Sequence, residues 1–308
     1  MTYSSGGLIQ VTDYNTRVAS VNSIWSTGSG NSGYGQTAQS TNSTGDVVTA
    51  SQWATMIAKM QAMQQHQSNN TTGVPSQPGA GSIITYLSTV DSCITTVTNN
   101  RLNVAAYGSS TTSSASNATS WDGHAYRTWT VTFSSGDAAR YFFNAGGYIQ
   151  LNFSGTSLSG NSKSTYWNTF LTSGINYWNF FQGSSSYGGT GFTPSTNNTG
   201  QGYYSLTTTP TTWFQIYDNP SSADYTSNYA YIQVNSNGTN VSGHNDAGSV
   251  LTFVCNLIDA ASDTGGSADQ VTGTTQVNLV VVPPWTTYLS ASWGTPSISN
   301  TVNSQGVY

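Results

Sequence analysis

Three stretches in the first hundred residues carry apolar side chains at helical spacing. The clearest stretch starts at Thr49, because Gln52 three residues later completes a capping-box pattern. One apolar face then continues to about residue 66 through Trp53, Ile57, Met60 and Met63. The same spacing predicts a second helix over residues 82–97 and a shorter one over residues 12–21. The intervening segments 26–45 and 68–81 are rich in Gly, Ser, Thr and Asn, so we predict loops there.

Beyond about residue 110 the pattern changes to short alternating strands bounded by turn residues. We predict strands at residues 127–133, 139–143, 148–153, 213–217, 229–234, 250–258, 276–282 and 287–293. Residues 165–181 return to near-helical spacing and predict a helix, with Gly174 as an interruption. A low-complexity Ser/Thr run at residues 106–119 separates the two regions and is typical of a linker or flexible loop.

These patterns predict an α+β fold that is mainly β. A small N-terminal helix-and-loop domain, residues 1–105, would serve attachment or assembly, and an antiparallel β-sandwich would occupy residues 120–308. The 9 Trp, 19 Tyr and 10 Phe indicate an ordered chain, because disordered segments are poor in aromatic residues. The long N-terminal loops need a source of order, and packing against neighbouring subunits would supply it.

The charge content narrows the range of partners. Only 6% of the residues are charged, all eleven acidic residues are Asp, and the net charge is −5. The chain has no basic cluster of the kind that neutralises phosphates or anionic lipids, so we expect neither nucleic acid nor a membrane as partner. Residues 1–30 carry no signal-peptide pattern, and no apolar run reaches membrane-spanning length. We therefore expect a soluble protein that is not secreted by the general route.

Candidate chemistry is sparse, and the sequence assigns no catalytic residue, cofactor or metal. His66, His124 and His244 are scattered, and no Gly-x-Ser-x-Gly nucleophile motif occurs. Cys93 and Cys255 are expected to be reduced core thiols.

Two loops leave alternatives open. The Asp-rich loop 259–269 offers oxygen ligands for Ca²⁺ but lacks EF-hand spacing, so a solvated turn is the alternative. The glycine-rich loop 28–35 resembles a phosphate loop only in its glycine content, and a backbone-rich subunit contact fits it better.

Two groups of side chains are candidates for contacts. Interface or packing roles are predicted for Trp25, Tyr34, Trp53, Arg140 and Phe143. Arg140 is expected to pair with Asp137 or Asp259, or else to be a surface arginine. Tyrosines in polar, loop-like surroundings could stack on sugar rings, with core or interface packing as the alternative: Tyr187, Tyr203, Tyr204, Tyr225 and Tyr229.

Several segments resemble virion structural proteins of tailed bacteriophages, notably those of cyanobacterial hosts. In the N-terminal region they are residues 6–15, 24–30, 33–36, 48–53 and 66–67. Further on, residues 137–147, 167–168, 250–253, 259 and 271–273 resemble a β-rich domain of the same proteins.

The resemblance implies a non-enzymatic building block of the tail, neck or an attached fibre. It would be assembled in the host cytoplasm, located in the virion and surrounded by other virion proteins. A homotrimer is favoured and a hexamer is the alternative. A carbohydrate-binding or receptor-binding adhesive module, with a host surface glycan as partner, is the second hypothesis.

Overall fold

The computed structural model describes residues 10–81, 87–117, 120–217, 225, 227–238, 248–260 and 270–305. The chain forms two compact units. Unit 1 takes in the chain up to Gly108 together with Arg140–Gly146 and Pro283–Trp293. Unit 2 comprises Ser109–Ala139, Gly147–Val282 and Gly294–Tyr308. Unit 1 therefore includes two short segments that the predicted sequential domains had assigned to the sandwich.

Three helices build unit 1: α1 (Val11–Trp25), α2 (Ala50–Ser68) and α3 (Leu87–Asn99). The capping box before α2 is present, since Gln52 N donates to Thr49 Oγ1 at 3.3 Å and Thr49 N donates to Gln52 Oε1 at 2.8 Å. The predicted apolar face of α2 is fully buried. α1 continues four residues past its predicted end, and residues 82–86 of the helix predicted over residues 82–97 lie outside the described residues.

The loop between α1 and α2 is ordered by bonds within unit 1. The Tyr34 and Gln36 amides donate to Ile24 O and Trp25 O at the end of α1. Gly28 and Gly33 have positive φ angles of 51° and 102°. A Cβ at either position would lie within 2.5 Å of backbone oxygen, so glycine is required at these two turns.

Unit 2 contains eleven strands among its described residues. They are β1 (Thr111–Asn117), β2 (His124–Thr132), β3 (Tyr148–Thr156), β4 (Tyr177–Phe180), β5 (Ser185–Tyr187), β6 (Pro194–Asn197), β7 (Thr211–Tyr217), β8 (Tyr229–Ser236), β9 (Val250–Ile258), β10 (Thr274–Val282) and β11 (Ser297–Gln305). One sheet has the order β1-β10-β3-β4-β5 and the other β11-β2-β9-β8-β7-β6. All these neighbours pair antiparallel, which confirms the predicted mainly β, α+β class.

Aromatic rings from both sheets fill the core of unit 2. Phe180 of the five-stranded sheet lies 5.4 Å from both Phe253 and Trp213 of the six-stranded sheet, measured between ring centroids. Trp178 meets Phe253 edge to face at 6.5 Å. Such contacts between the inner faces of two sheets are the packing of a β-sandwich.

Four segments differ from their predicted structures. Residues 139–143 belong to helix α4 (Gly136–Asn144). Ser135 Oγ accepts from Ala138 N and caps this helix. Residues 138–143 are all buried, so they lack the alternation of buried and exposed side chains that the predicted strand would have. Residues 106–119 are not a linker throughout, since they include β1, which pairs with β10.

The other two differences concern aromatic segments. The predicted helix 165–181 divides into α5 (Ser162–Thr169), a π-helical turn (Phe170–Ile175) and β4. Residues 287–293 form turns instead of the predicted strand. The Gln36 side chain, rather than a neighbouring strand, makes the hydrogen bonds to the Ser290 backbone. It donates to Ser290 O at 2.9 Å and accepts from Ser290 N at 2.9 Å.

Candidate functional site

The outer side of the six-stranded sheet carries a cluster of tyrosines. Strand register aligns Tyr217 with Tyr229, Tyr229 with Ile258, and Ile258 with His124. Two residues further along each strand, on the same side of the sheet, the register aligns Gln215, Tyr231, Asn256 and Tyr126. These eight residues are called the tyrosine face below.

The tyrosines of this face are close together and partly exposed. The rings of Tyr217 and Tyr229 lie 5.1 Å apart, and those of Tyr229 and Tyr231 stack at 6.0 Å with an interplanar angle of 21°. Tyr217 is 44% exposed, whereas Tyr229 and Tyr231 are half-buried. Burial and the neighbouring Tyr229 raise the pKa of Tyr231, so its hydroxyl stays protonated at neutral pH.

Neutral hydrogen-bonding groups surround the rings. Gln215 Nε2 donates to the Tyr217 hydroxyl at 3.0 Å, and His124 Nε2 lies 3.0 Å from Asn256 Oδ1. The tyrosine face contains no Asp, Lys or Arg. Flat rings beside amides and hydroxyls can pack against a neutral protein surface or stack on a sugar ring.

No family model, curated protein or solved structure matches this chain. Among the described residues, no helix combines the length and apolarity needed to cross a membrane. The same residues contain no group of three or more His, Cys, Asp or Glu side chains placed to hold a metal ion.

The structure separates the five predicted sugar-stacking tyrosines. Tyr229 lies on the tyrosine face, but Tyr203 is completely buried, so its ring is not available for stacking and that prediction is wrong. Tyr187 is half-buried, and its hydroxyl donates to Phe192 O at 2.8 Å. Tyr204 packs on Tyr203 at 5.4 Å and Tyr225 packs on Tyr166 at 5.3 Å.

Sequence reasoning missed the two tyrosines beside Tyr229. Tyr217 is the last residue of the strand predicted over residues 213–217, and Tyr231 lies within the strand predicted over residues 229–234. Their alternation with buried residues places both on the outer side of the sheet. Their proximity depends on which strands pair, and strand order is not encoded in alternation.

The predicted interface residues of the helical region serve packing inside unit 1. Trp53 is 1% exposed and meets Tyr14 edge to face at 5.7 Å, so it joins α2 to α1. The buried Tyr34 hydroxyl donates to Arg101 O at 2.6 Å. Trp25 is half-buried, and its Nε1 donates to Thr37 O at 2.9 Å. Trp53 and Tyr34 are therefore unavailable to a neighbouring subunit.

Arg140 and Phe143 are also completely buried, which excludes the surface alternative for Arg140. The guanidinium donates to Thr27 O at 2.6 Å and to Ser32 O at 2.7 Å. The glycine-rich loop thus presents carbonyl oxygens to a cation, the opposite polarity to a phosphate loop, whose amides face an anion. Asp259, one expected partner of Arg140, pairs with Lys163.

A second buried cation lies between the sheets of unit 2. Arg127 of β2 is fully buried, and its Nη2 donates to Thr275 Oγ1 at 2.9 Å and to Thr275 O at 3.2 Å. Within the described part of the chain, Arg127 Nε and Nη1 have no hydrogen-bond acceptor. Burial lowers the pKa of Arg127 to about 10, although the adjacent Cys255 opposes this shift.

A buried ion cluster in unit 2 contains Lys163, Asp122 and Asp259. Lys163 Nζ lies 2.9 Å from Asp259 Oδ2 and 3.6 Å from Asp122 Oδ1. The side chains of Lys163 and Asp259 are 1% and 0% exposed, and that of Asp122 is 21% exposed. Burial raises the pKa of Asp259 to about 6, against the opposing effect of Lys163.

One sequence signal could have pointed to this cluster, because Lys163 is one of just two lysines in the chain. The calcium hypothesis for loop 259–269 rests on three aspartates. Asp259 pairs with Lys163, and Asp263 and Asp269 lie outside the described residues. His244 also lies outside them.

Proposed function

We propose that this chain is a non-enzymatic structural component of a bacteriophage virion, a tail, neck or fibre protein that assembles as a homo-oligomer through the tyrosine face. The observation that carries the proposal is the clustering of Tyr217, Tyr229 and Tyr231 on the outer side of the sandwich. Tyrosines supply large contact areas and a polar tip, which is why they are enriched at protein interfaces.

The occupant proposed for the tyrosine face is another copy of the same chain. The chain carries a net charge of −5, so two copies repel each other overall, and the tyrosine face adds no acidic residue to that repulsion. Its amides and hydroxyls can pair with a neutral surface without the cost of desolvating charges. A trimer is the favoured assembly, as the resemblance to phage fibre proteins implies.

Light scattering coupled to size exclusion tests this proposal. The wild-type chain should elute at micromolar concentration with a mass close to three times 32.5 kDa. A double variant, Tyr229→Lys with Tyr231→Lys, should shift the mass to that of the monomer while circular dichroism remains unchanged. The charges would be buried without partners in the interface, at a cost of several kcal/mol.

Val47→Lys is the matched control, because Val47 is 82% exposed in unit 1 and lies outside the tyrosine face. Its assembly should equal that of the wild type. A monomeric wild-type chain would overturn the assembly proposal. An oligomeric double lysine variant would show that the tyrosine face is not the interface.

The alternative function is binding of a host surface glycan. The near-parallel rings of Tyr229 and Tyr231 beside the Gln215 amide favour it, because sugar recognition needs flat apolar faces with neutral hydrogen-bonding groups. In this case Tyr229→Ala should abolish binding to a glycan array without changing the mass in solution. Tyr204→Ala, at a tyrosine outside the face, is the control and should leave binding unchanged.

A further inference from the structure

The ion cluster of Lys163, Asp122 and Asp259 brings together three distant segments of unit 2. Lys163 lies in the first turn of α5, Asp122 precedes β2, and Asp259 follows β9. A lysine is disfavoured at a helix N-terminus, where the partial charge of the backbone is positive. Fully buried lysines are also rare. The position of Lys163 therefore serves neither the helix nor solubility, but it does bring an amine to two carboxyl groups.

Backbone and side-chain bonds fix the three segments against each other. Asp259 N donates to Gly123 O at 2.7 Å, which ties the end of β9 to the turn that carries Asp122. Ser164 Oγ accepts from Thr272 N at 2.8 Å, and Val271 N donates to Trp121 O at 2.9 Å, so residues 271–272 tie α5 to the segment that carries Asp122. The amine and the carboxyl groups are therefore held in place, which is the condition under which an intramolecular reaction is accelerated.

Two buried tryptophans flank members of the cluster along the chain. Trp121 precedes Asp122 in the chain, and Trp167 lies one helical turn after Lys163 in α5. The two indoles are 2% and 1% exposed and meet edge to face at 4.9 Å. Such an environment disfavours charged groups, so it favours the neutral amine and the neutral acid over the ion pair.

We propose that the ε-amine of Lys163 condenses with the side-chain carboxyl of Asp259 to form an intramolecular isopeptide bond, with Asp122 moving the protons. A proton first passes from the Lys163 ammonium to the Asp259 carboxylate, which leaves an amine and a carboxylic acid. The nitrogen then attacks Asp259 Cγ. Asp122 accepts a proton from the nitrogen and returns it to the departing hydroxyl group.

The atoms and charges of this reaction balance without a co-reactant. A C–N bond forms, a C–O bond of Asp259 breaks, and one water leaves, while Asp122 ends as the carboxylate it was at the start. Lys163 Nζ is within about 4 Å of Asp259 Cγ, because it lies 2.9 Å from Oδ2 and a carboxyl C–O bond is about 1.2 Å. The product also replaces two buried charges with a neutral amide.

Mass spectrometry of the purified full chain tests the proposal. The intact wild-type protein should be lighter than its sequence mass by one water, about 18 Da. A proteolytic digest should contain a branched peptide that joins the Lys163 and Asp259 segments. A wild-type chain that keeps its full sequence mass after prolonged incubation at neutral pH would overturn the proposal.

One side reaction has the same mass, because the Asp122-Gly123 sequence can lose water by closing to a succinimide. Hydroxylamine opens a succinimide but leaves an isopeptide bond intact, and fragmentation locates the loss. A linear peptide that carries the whole mass loss at Asp122 would therefore overturn the proposal. The branched peptide is decisive whether or not any variant folds.

Variants assign the roles of the three groups. Lys163→Met and Asp122→Ala should both have their full sequence masses, and circular dichroism should show that Asp122→Ala is folded. Asp259→Asn should release ammonia instead of water, about 17 Da, and give the same product as the wild type. Lys59→Met, at the other lysine, is the matched control and should show the wild-type loss.

Discussion

Replacing Arg140 with Met tests whether a buried cation orders the glycine-rich loop. Met keeps much of the length of the side chain but removes both the charge and the donors. The variant leaves two carbonyl oxygens, Thr27 O and Ser32 O, without the short bonds of 2.6 and 2.7 Å that they accept in the wild type. Because these carbonyls lie in a loop, they have no helix or sheet partner to replace the guanidinium.

The expected loss of stability can be worked from these two bonds. A hydrogen bond to a charged group contributes about 1.5–3 kcal/mol, which gives roughly 3–6 kcal/mol for the pair. The variant no longer needs to bury a charge, and this offsets part of the loss. We therefore expect the free energy of unfolding to fall by about 3–4 kcal/mol.

Urea unfolding measures this change, and hydrogen exchange at residues 27–36 shows whether the loop has opened. Arg17→Met is the control, because Arg17 pairs with an Asp91 side chain that is 54% exposed, and it should cost about 1 kcal/mol or less. If Arg140→Met behaves like Arg17→Met in both measurements, the guanidinium does not hold the loop, and the reasoning is refuted.

Two further predictions concern buried titratable groups. Burial lowers the pKa of His66 to about 4, opposed by its bond to Ala145 O, whereas an unfolded histidine titrates near 6.5. The unfolded state therefore binds more protons between these values, and stability should fall by about 3 kcal/mol as the pH decreases from 6.5 to 4. His66→Asn should lose this dependence, and an unchanged slope in the variant would contradict the assignment. Burial raises the pKa of Cys93 to about 11 and that of Cys255 to about 12. Neither thiol should react with a disulfide reagent at pH 8 until the protein is denatured, and rapid reaction of the native protein would contradict their burial.

The sequence predicted those elements whose signals are local. The capping box of Thr49 and Gln52 and the buried face of α2 depend on residues a few positions apart, and both are present. The strand over residues 250–258 was also located, because alternation and flanking turn residues are local. By contrast, residues 139–143 were predicted as a strand, although Asp137, Arg140 and Asn144 recur at helical spacing along α4, because a five-residue window is too short to separate the two periods.

The parts that were not predicted depend on contacts between distant residues. The tyrosine face exists because β7, β8 and β9 are neighbours in one sheet. Lys163 is a candidate reactive group because it contacts Asp259, and nothing within a few residues of either one indicates the other. The order of the loop between α1 and α2 was expected to come from other subunits, but Arg140 contributes to it from the same chain.

The bonds between Gln36 and Ser290 span 254 positions and have a consequence for synthesis on the ribosome. Unit 1 begins with α1, α2 and α3 but receives the segment Pro283–Trp293 only after residues 147–282 of unit 2 have been translated. The apolar faces of nascent α1, α2 and α3 therefore stay incompletely covered while the sandwich emerges from the exit tunnel. A messenger truncated before codon 283 would release a chain in which unit 1 lacks its segment Pro283–Trp293.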